Sequence, residues 1–419
     1  MRLLHNIFRK FVTPDIPIQA NIKPAIALIT YCRYDYFEQV YNSIVAQTIK
    51  GQPYSEHFDF YIFQDGLLDN ATSEQRQGHQ AIASFCAHHL DLNHYIAQPK
   101  NLGVALHFDC VERTLFELQD RPWVAFCEDD LVLAPGYLET LTCMANSFKD
   151  DPRISMFSCF GKTFNNKLEE QEANQQALTS MEHHWGFGMH QSAWRKRQPL
   201  VDEYLKLFSS TSYHEREHGR IQNWHSFCGF KTGATSQDYA KACAIAAHGA
   251  IKVSTFANFG TYIGEYGLHF TPEIFAKKGY ANSVIFPRPI TQPFHVDPDT
   301  YESLLKQQQA ITIESPDTFE SASFSRRLQA GSFAPNIADQ WQKNLVSEAD
   351  VVAAYKIFLG RLPESRQVIE SRIGIAPDQL LTSFITAPEF KARKKFNPII
   401  LAIAKEIIDE IKKNTPSTQ

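Results

Sequence analysis

Three carboxylates in a row, Glu128-Asp129-Asp130, follow the apolar run Trp123-Val124-Ala125-Phe126-Cys127 and precede Leu131-Val132-Leu133-Ala134, which stops at Pro135-Gly136. The first run reads as a buried strand and the Pro-Gly pair as its punctuation. Adjacent acids at the end of such a strand repel one another and lose solvation, so they call for a countercharge. A hard divalent cation held through oxygen, Mg²⁺ or Mn²⁺, supplies one, and its open positions take phosphate oxygens. The plain alternative is a solvated strand-to-loop turn. The apolar runs on both sides favour the metal–diphosphate reading.

Other polar residues stand at comparable places. Arg33 follows the apolar run of residues 25–31, and Asp65 closes that of residues 58–63 in Gln64-Asp65-Gly66. Trp185-Gly186-Phe187-Gly188-Met189 joins aromatics to glycines, suited to close backbone approach to a ligand or to sugar packing, and equally to a core. His269, in Gly267-Leu268-His269-Phe270, is a candidate for the metal or diphosphate, the alternative being a satisfied structural histidine.

The elements that must position these groups alternate. Strands are expected at residues 25–31, 58–63, 94–96, 123–127 and 153–159, with helices at 36–48, 74–89, 104–118 and 135–148. That alternation predicts an α/β fold, a doubly wound and mostly parallel sheet with flanking helices. Ligands in such sheets sit at the carboxyl ends of the strands. Residues 165–180 are polar and read as a loop beside the site or a solvated helix, 239–248 as a small-residue helix, and 251–257 as a strand. Four segments result: a lead-in at 1–23, the α/β domain at 24–275, an extended arm and linker at 276–345, and a small all-α module at 346–419. Residues 1–12 suit a short basic amphipathic helix, resting on a membrane surface or docking on the protein itself.

The 419 residues, 43% hydrophobic and 21% charged, suit an ordinary globular protein with a substantial core. A net charge of -5 gives no electrostatic reason to expect a nucleic-acid partner. The eight cysteines form no CxxC pair and several lie in apolar runs, which fits reduced, buried thiols. The sequence shows neither a run of about 18 apolar residues nor a cleavable signal, so a cytoplasmic protein is expected, with the inner membrane face as the site of any peripheral contact.

The acid stretch, Glu128-Asp129-Asp130-Leu131-Val132-Leu133-Ala134-Pro135-Gly136-Tyr137, resembles that of GT-A glycosyltransferases of the N-acetylglucosaminyltransferase I type. Phe63-Gln64-Asp65-Gly66, the segment from Asp151-Pro152 to Ser158, and Trp185-Gly186-Phe187-Gly188 are similar to further family motifs, over residues 24 to 275. The resemblance implies Asp130 as the Mn²⁺ ligand bridging a UDP diphosphate, with Glu128 and Asp129 toward ribose, uridine or metal-bound water. It implies Asp65 as the uracil acceptor, in competition with a turn role, and Arg33, Trp185 and Gly186 as nucleotide-sugar contacts. The first loop, Cys32-Arg33-Tyr34-Asp35, departs from the family's Cys-Asp-Arg, and the segment between Trp194 and Asp238 differs, so the acceptor stays open. Asp238 is the implied base for an inverting transfer, its alternative being a helix N-terminal residue after Ser236; Glu182 and Glu265 stand in reserve. Residues 346–419 resemble a helical module appended to bacterial glycosyltransferases, through Tyr355, Phe358-Leu359-Gly360-Arg361 and Pro363, then Phe384 and Glu389-Phe390. The implied activity is transfer of a sugar, GlcNAc first, from a UDP-sugar to a glycan hydroxyl in bacterial surface polysaccharide or glycoconjugate synthesis. The alternatives are a nucleotidyltransferase and a non-catalytic carbohydrate-binding scaffold.

Overall fold

An eight-stranded sheet organises the larger part of the chain in the computed structural model. The structure describes residues 22–89, 94–207, 213–267, 270–321, 323–324, 346, 348–355, 359, 363–375, 377–387 and 389. The chain divides into one unit at Asn21–Phe333 and another containing Ala334–Gln419.

Besides a short antiparallel hairpin at Thr48–Ile49 and Gln52–Pro53, the strands described in the first unit are β1 (Ala25–Thr30), β2 (Asp59–Gln64), β3 (Tyr95–Ala97), β4 (Trp123–Glu128), β5 (Leu131–Leu133), β6 (Ile154–Ser158), β7 (Leu178–Ser180), β8 (Gly186–His190), β9 (Ile251–Thr255) and β10 (Gly260–Tyr262). The main sheet runs β3-β2-β1-β4-β8-β6-β9-β7, while β10 and β5 form a separate antiparallel pair. β1 pairs in parallel with β2 and β4, β2 with β3, and β6 with β9. β8 runs antiparallel between β4 and β6, and β7 antiparallel on the edge against β9. The expected α/β architecture, mostly parallel with flanking helices, is therefore the observed one.

β1 is apolar along nearly its whole length because helices cover both faces. Alternate residues serve opposite cores. Ile26 and Leu28 join Phe37, Val40 and Ile44 of α1 (Tyr34–Val45), Ile82 and Cys86 of α2 (Ser73–His89), and Leu141 of α4 (Tyr137–Phe148). Ala25, Ala27 and Ile29 join Phe108 and Val111 of α3 (Gly103–Arg113), Trp194 of α6 (Gln191–Leu205), and Ile245 of α8 (Gln237–Ala247).

The glycine-rich segment 186–190, for which ligand approach and core packing were both open, is a fully buried central strand. Its glycines make room for neighbours: a Cβ on Gly188 would lie 2.1 Å from Phe157, and one on Gly186 would lie 2.4 Å from Leu131 and 2.8 Å from the Tyr137 hydroxyl. The polar stretch 165–180 holds α5 (Leu168–Ala173) and edge strand β7. The arm expected from residue 276 packs against the sheet, with Phe286, Ile290, Phe294, Val296 and Leu304 buried in the first core. Its helix α10 (Pro298–Thr312) lies against α8, with Gln308 bonding the Ala250 carbonyl and the Lys252 amide.

Helix α8 is held by a buried charge cluster. Glu112 of α3 accepts from Arg197 of α6 and, at 2.9 Å, from Lys241 of α8, all three being at most 2% exposed. Lys241 also lies 3.9 Å from the Phe108 ring centroid. Three helices thus share one carboxylate, which fixes the rotation of α8 about its axis.

In the second unit the described helices are α11 (Glu348–Ala354), α12 (Arg366–Glu370) and α13 (Pro377–Thr386), with Tyr355 edge-on to Phe384 at 4.9 Å between ring centroids. The helix expected at 399–411 lies outside the described residues, as does that at 1–12. None of the described helices is long and apolar enough to cross a membrane.

Candidate functional site

The end of β4 turns directly into the acids. Glu128 is its last residue, Asp129 and Asp130 form the turn, and β5 returns along β10. The turn is pinned on two sides. The Glu128 amide donates to the Trp185 carbonyl at 2.7 Å, and the Ile263 amide donates to the Asp130 carbonyl at 2.8 Å. A Cβ on Gly264 would lie 2.9 Å from Asp130 Oδ2, so glycine there lets the backbone after β10 close over the acid.

Arg33, the residue before α1, supplies the countercharge within the protein. Its Nη2 donates to Asp129 Oδ1 and, at 2.9 Å, to Asp130 Oδ2, while Nη1 reaches the Tyr266 carbonyl at 3.2 Å. Thr30, at the end of β1, donates to Asp129 Oδ2 at 2.7 Å. Asp129 therefore has both oxygens engaged. Asp130 keeps Oδ1 buried and unpartnered. Burial pushes the Asp130 carboxyl up to about 6 against the pull of Arg33, with Asp129 adding to the rise. Burial, then the charges of Asp130 and Asp238, hold the Glu128 carboxyl well above its ordinary range.

Asp238 joins this group from the far side of the sheet. It lies in the first turn of α8, whose N-terminus is capped by Ser236 accepting the Tyr239 amide at 3.2 Å. The Asp238 carboxylate does not cap the helix; its Oδ1 accepts from His184 Nδ1 and from Gln237 Nε2, each at 2.8 Å. Beyond His184, Nε2 lies 3.1 Å from Lys252 Nζ on β9. The Asp238 side chain is 50% exposed. Burial raises its carboxyl, and His184, Lys241 and Lys252 more than reverse this, leaving it at about 2. Burial and Lys252 push His184 down to about 4 against Asp238. Burial pushes Lys252 down to about 8, again opposed by Asp238.

The remaining sequence candidates divide. Asp65 is 5% exposed and has four donors on its two oxygens: the amides of Gly66, Leu102 and Gly103 at 2.8 to 2.9 Å and Asn101 Nδ2 at 3.1 Å. A carboxylate has about four acceptor positions, so Asp65 has none left for a uracil N–H. It anchors the start of α3, the turn role weighed against the nucleotide role. Trp185 is stacked on both faces, by His183 at 4.1 Å and Tyr262 at 3.6 Å between ring centroids. Only its edge can meet a sugar. Gly186 leaves space for Leu131 and Tyr137 rather than for a ligand. Glu182 and Glu265 are exposed. His269 lies outside the described residues.

Sequence reasoning passed over Thr30, His184 and Lys252. The signal for Lys252 was present, since it is the one charged side chain in the strand Ile251-Lys252-Val253-Ser254-Thr255. His184 and Thr30 carried none: each stands beside an apolar run, where His and Thr are commonplace.

Among the described residues no three His, Cys, Asp or Glu side chains converge as a self-sufficient metal centre. The residues fit a cation of another kind. Mg²⁺ and Mn²⁺ are commonly held by one or two carboxylates, with phosphate and water completing the shell, and the orphaned Asp130 Oδ1 is a vacant oxygen donor of that type.

No family model and no curated protein matches the chain. Among solved structures, the mannosyltransferase PcManGT from Pyrobaculum calidifontis, in complex with GDP-Man and Mn²⁺, is similar at 13% identity and TM-score 0.32, covering 98% of this chain and 94% of its own. GalNAc-T7 with UDP, GalNAc and Mn²⁺ is similar at 6% identity and TM-score 0.32, over 57% of this chain and 43% of its own. The apo-form glycosyltransferase GlyE of Streptococcus pneumoniae TIGR4 is similar at 9% identity and TM-score 0.31, over 75% and 64%. Likenesses this distant carry no argument about chemistry, which rests on the site itself.

Proposed function

We propose that the chain is a metal-dependent glycosyltransferase of GT-A type that moves a sugar from a UDP-sugar to a glycan hydroxyl with inversion, UDP-GlcNAc being the first donor to test. The observation that carries this reading is the buried, unpartnered Asp130 oxygen at the carboxyl end of a central strand, with the half-exposed Asp238 near enough for its charge to act on Glu128 of the same acid stretch. Asp130 would hold Mn²⁺ or Mg²⁺ against the diphosphate, and the bound cation would offset charge on the leaving UDP. Arg33, already spanning Asp129 and Asp130, is placed to reach a phosphate oxygen once the cation takes its position on Asp130. Thr30 keeps Asp129 in place throughout.

Asp238 is the base. As the acceptor oxygen bonds to the anomeric carbon, its proton passes to the Asp238 oxygen that His184 and Gln237 leave free. The bond from that carbon to the diphosphate oxygen breaks, its electron pair leaving with UDP. The low pKa of Asp238 keeps it ionised at neutral pH. The uracil acceptor is not Asp65, whose oxygens are filled.

Thermal shift and calorimetry with UDP, GDP, CMP and UDP-sugars, with and without Mn²⁺, test the donor site. A ligand that binds only the folded state raises the melting temperature by mass action. UDP stabilisation that needs both Mn²⁺ and Asp130 is expected. Absence of any nucleotide response would make the acid turn structural and favour the scaffold alternative.

A further inference from the structure

We infer that His184 and Lys252 are positioning residues for Asp238, forming a one-directional hydrogen-bond chain that presents a single carboxylate oxygen to the acceptor; the inference rests on the transferase reading.

The chain spans three separate elements. Lys252 comes from β9, His184 from the loop entering β8, and Asp238 from α8. Below about pH 8 Lys252 is an ammonium and carries only donors, so it must donate to His184 Nε2 at 3.1 Å. That obliges Nε2 to be the acceptor and places the imidazole proton on Nδ1, which donates to Asp238 Oδ1 at 2.8 Å. Gln237 Nε2 adds a second donor to the same oxygen at 2.8 Å. Oδ1 is thereby committed to the protein, and the other oxygen is left to the exposed side of the half-exposed side chain. Every proton in the chain points toward Asp238, so it cannot carry the acceptor's proton away. It holds Asp238 ionised and aimed, with the Lys252 charge acting at a distance through a neutral ring.

The setting excludes a casual surface contact. The His184 side chain is 3% exposed. The charged and titratable groups facing the chain are Glu128 on β4, Lys241 and Cys243 on α8, Tyr204 and Arg197 on α6, and His183 and Glu182 on the loop before β8. Lys241 is committed to Glu112 and Arg197 likewise, which leaves Lys252 as the cation bonded to His184.

The test has two arms. The first follows the imidazole nitrogens of full-length protein labelled with ¹⁵N-histidine from pH 5 to 9, His184 being assigned by its loss in His184→Asn. The chain requires Nδ1 protonated and Nε2 bare throughout, with Lys252→Met or Asp238→Asn producing mixed tautomers. A wild-type ring protonated on Nε2, or one indifferent to both substitutions, overturns the inference. The second arm measures Mn²⁺-dependent turnover of UDP-GlcNAc to UDP with water as acceptor. His184→Ala and Lys252→Met should lower kcat about 10- to 100-fold at unchanged donor KM and move the acid limb of the profile upward. His184→Asn, which keeps a donor near the Nδ1 position, should recover much of the loss. Wild-type rates in all three variants would overturn the positioning role while leaving the enzyme reading intact. An intact tautomer pattern without wild-type turnover would overturn the enzyme reading, and the nitrogen arm then decides the chain by itself.

Discussion

Asp65 and Asp130 look alike in the sequence, each an acid at the end of a buried strand, and their surroundings separate them. Asp65 receives three backbone amides and one side-chain amide; Asp130 is left with an oxygen that nothing in the described protein fills. Asp65→Asn should therefore cost stability, about 1.5–3 kcal/mol for a lost charged acceptor, with the UDP response in Mn²⁺ unchanged. Asp130→Asn should do the reverse, abolishing the metal-dependent nucleotide response while leaving the denaturation midpoint near wild type. Parallel denaturant and nucleotide titrations of both variants decide the assignment, and loss of UDP binding at constant stability in Asp65→Asn would restore its nucleotide role. The sequence could place both acids at the sheet's ligand edge but could not tell a filled carboxylate from a vacant one. That difference depends on amides 37 and 38 residues downstream of Asp65.

At the scale of elements, the strand–helix alternation was readable because both faces of the sheet are covered, which makes the strands continuous apolar runs. Segment 186–190 was ambiguous for a physical reason. Glycine serves close approach to a ligand and close packing alike, and between β4 and β6 these glycines accommodate Phe157, Leu131 and Tyr137. Gly186→Ala should thus destabilise by about 1–3 kcal/mol through overpacking, measurable by chemical denaturation; a neutral outcome would refute the close approach. The Glu112 cluster was illegible for the opposite reason, since its partners lie 85 and 129 residues away in sequence. Glu112→Gln strands two buried cations and should cost about 3–5 kcal/mol. Because α8 carries both Lys241 and Asp238, it should also weaken turnover beyond what partial unfolding explains.

For the molecule as a whole, buried neutral histidines set an acid limit. His184 and His225 are 5% and 0% exposed, and burial pushes each down to about 4. In the unfolded chain they titrate near 6.5, so the unfolded state takes up protons first as pH falls. Their contribution is complete above about 6.5 and is lost on descending toward 4. Asp238, held at about 2, adds a further loss below the ordinary carboxylate range, while Glu128, raised by burial and its acidic neighbours, works in the opposite direction. Asp130, raised to about 6, acts with Glu128, so the histidine share is read by difference: between pH 7 and pH 4.5 the wild type should lose more stability than His225→Phe, and equal changes in the two would contradict the burial. All described residues of the site lie between Thr30 and Tyr266, within the unit Asn21–Phe333. A chain ending at Phe333 should therefore retain the Mn²⁺-dependent nucleotide response by thermal shift.

The grip of Arg33 on both Asp129 and Asp130 sets the sequence of arrival. An acid turn already neutralised from within needs no cation to fold, so chelators should leave the protein intact. On the proposed reading, free Mn²⁺ would gain only the vacant Asp130 oxygen, beside the Arg33 guanidinium on the other, and should bind weakly alone. Accompanied by a nucleotide diphosphate, the cation would bring its own anionic oxygens and give the neighbouring arginine a further partner. The preformed metal–nucleotide complex, rather than either component, is then the species expected to enter.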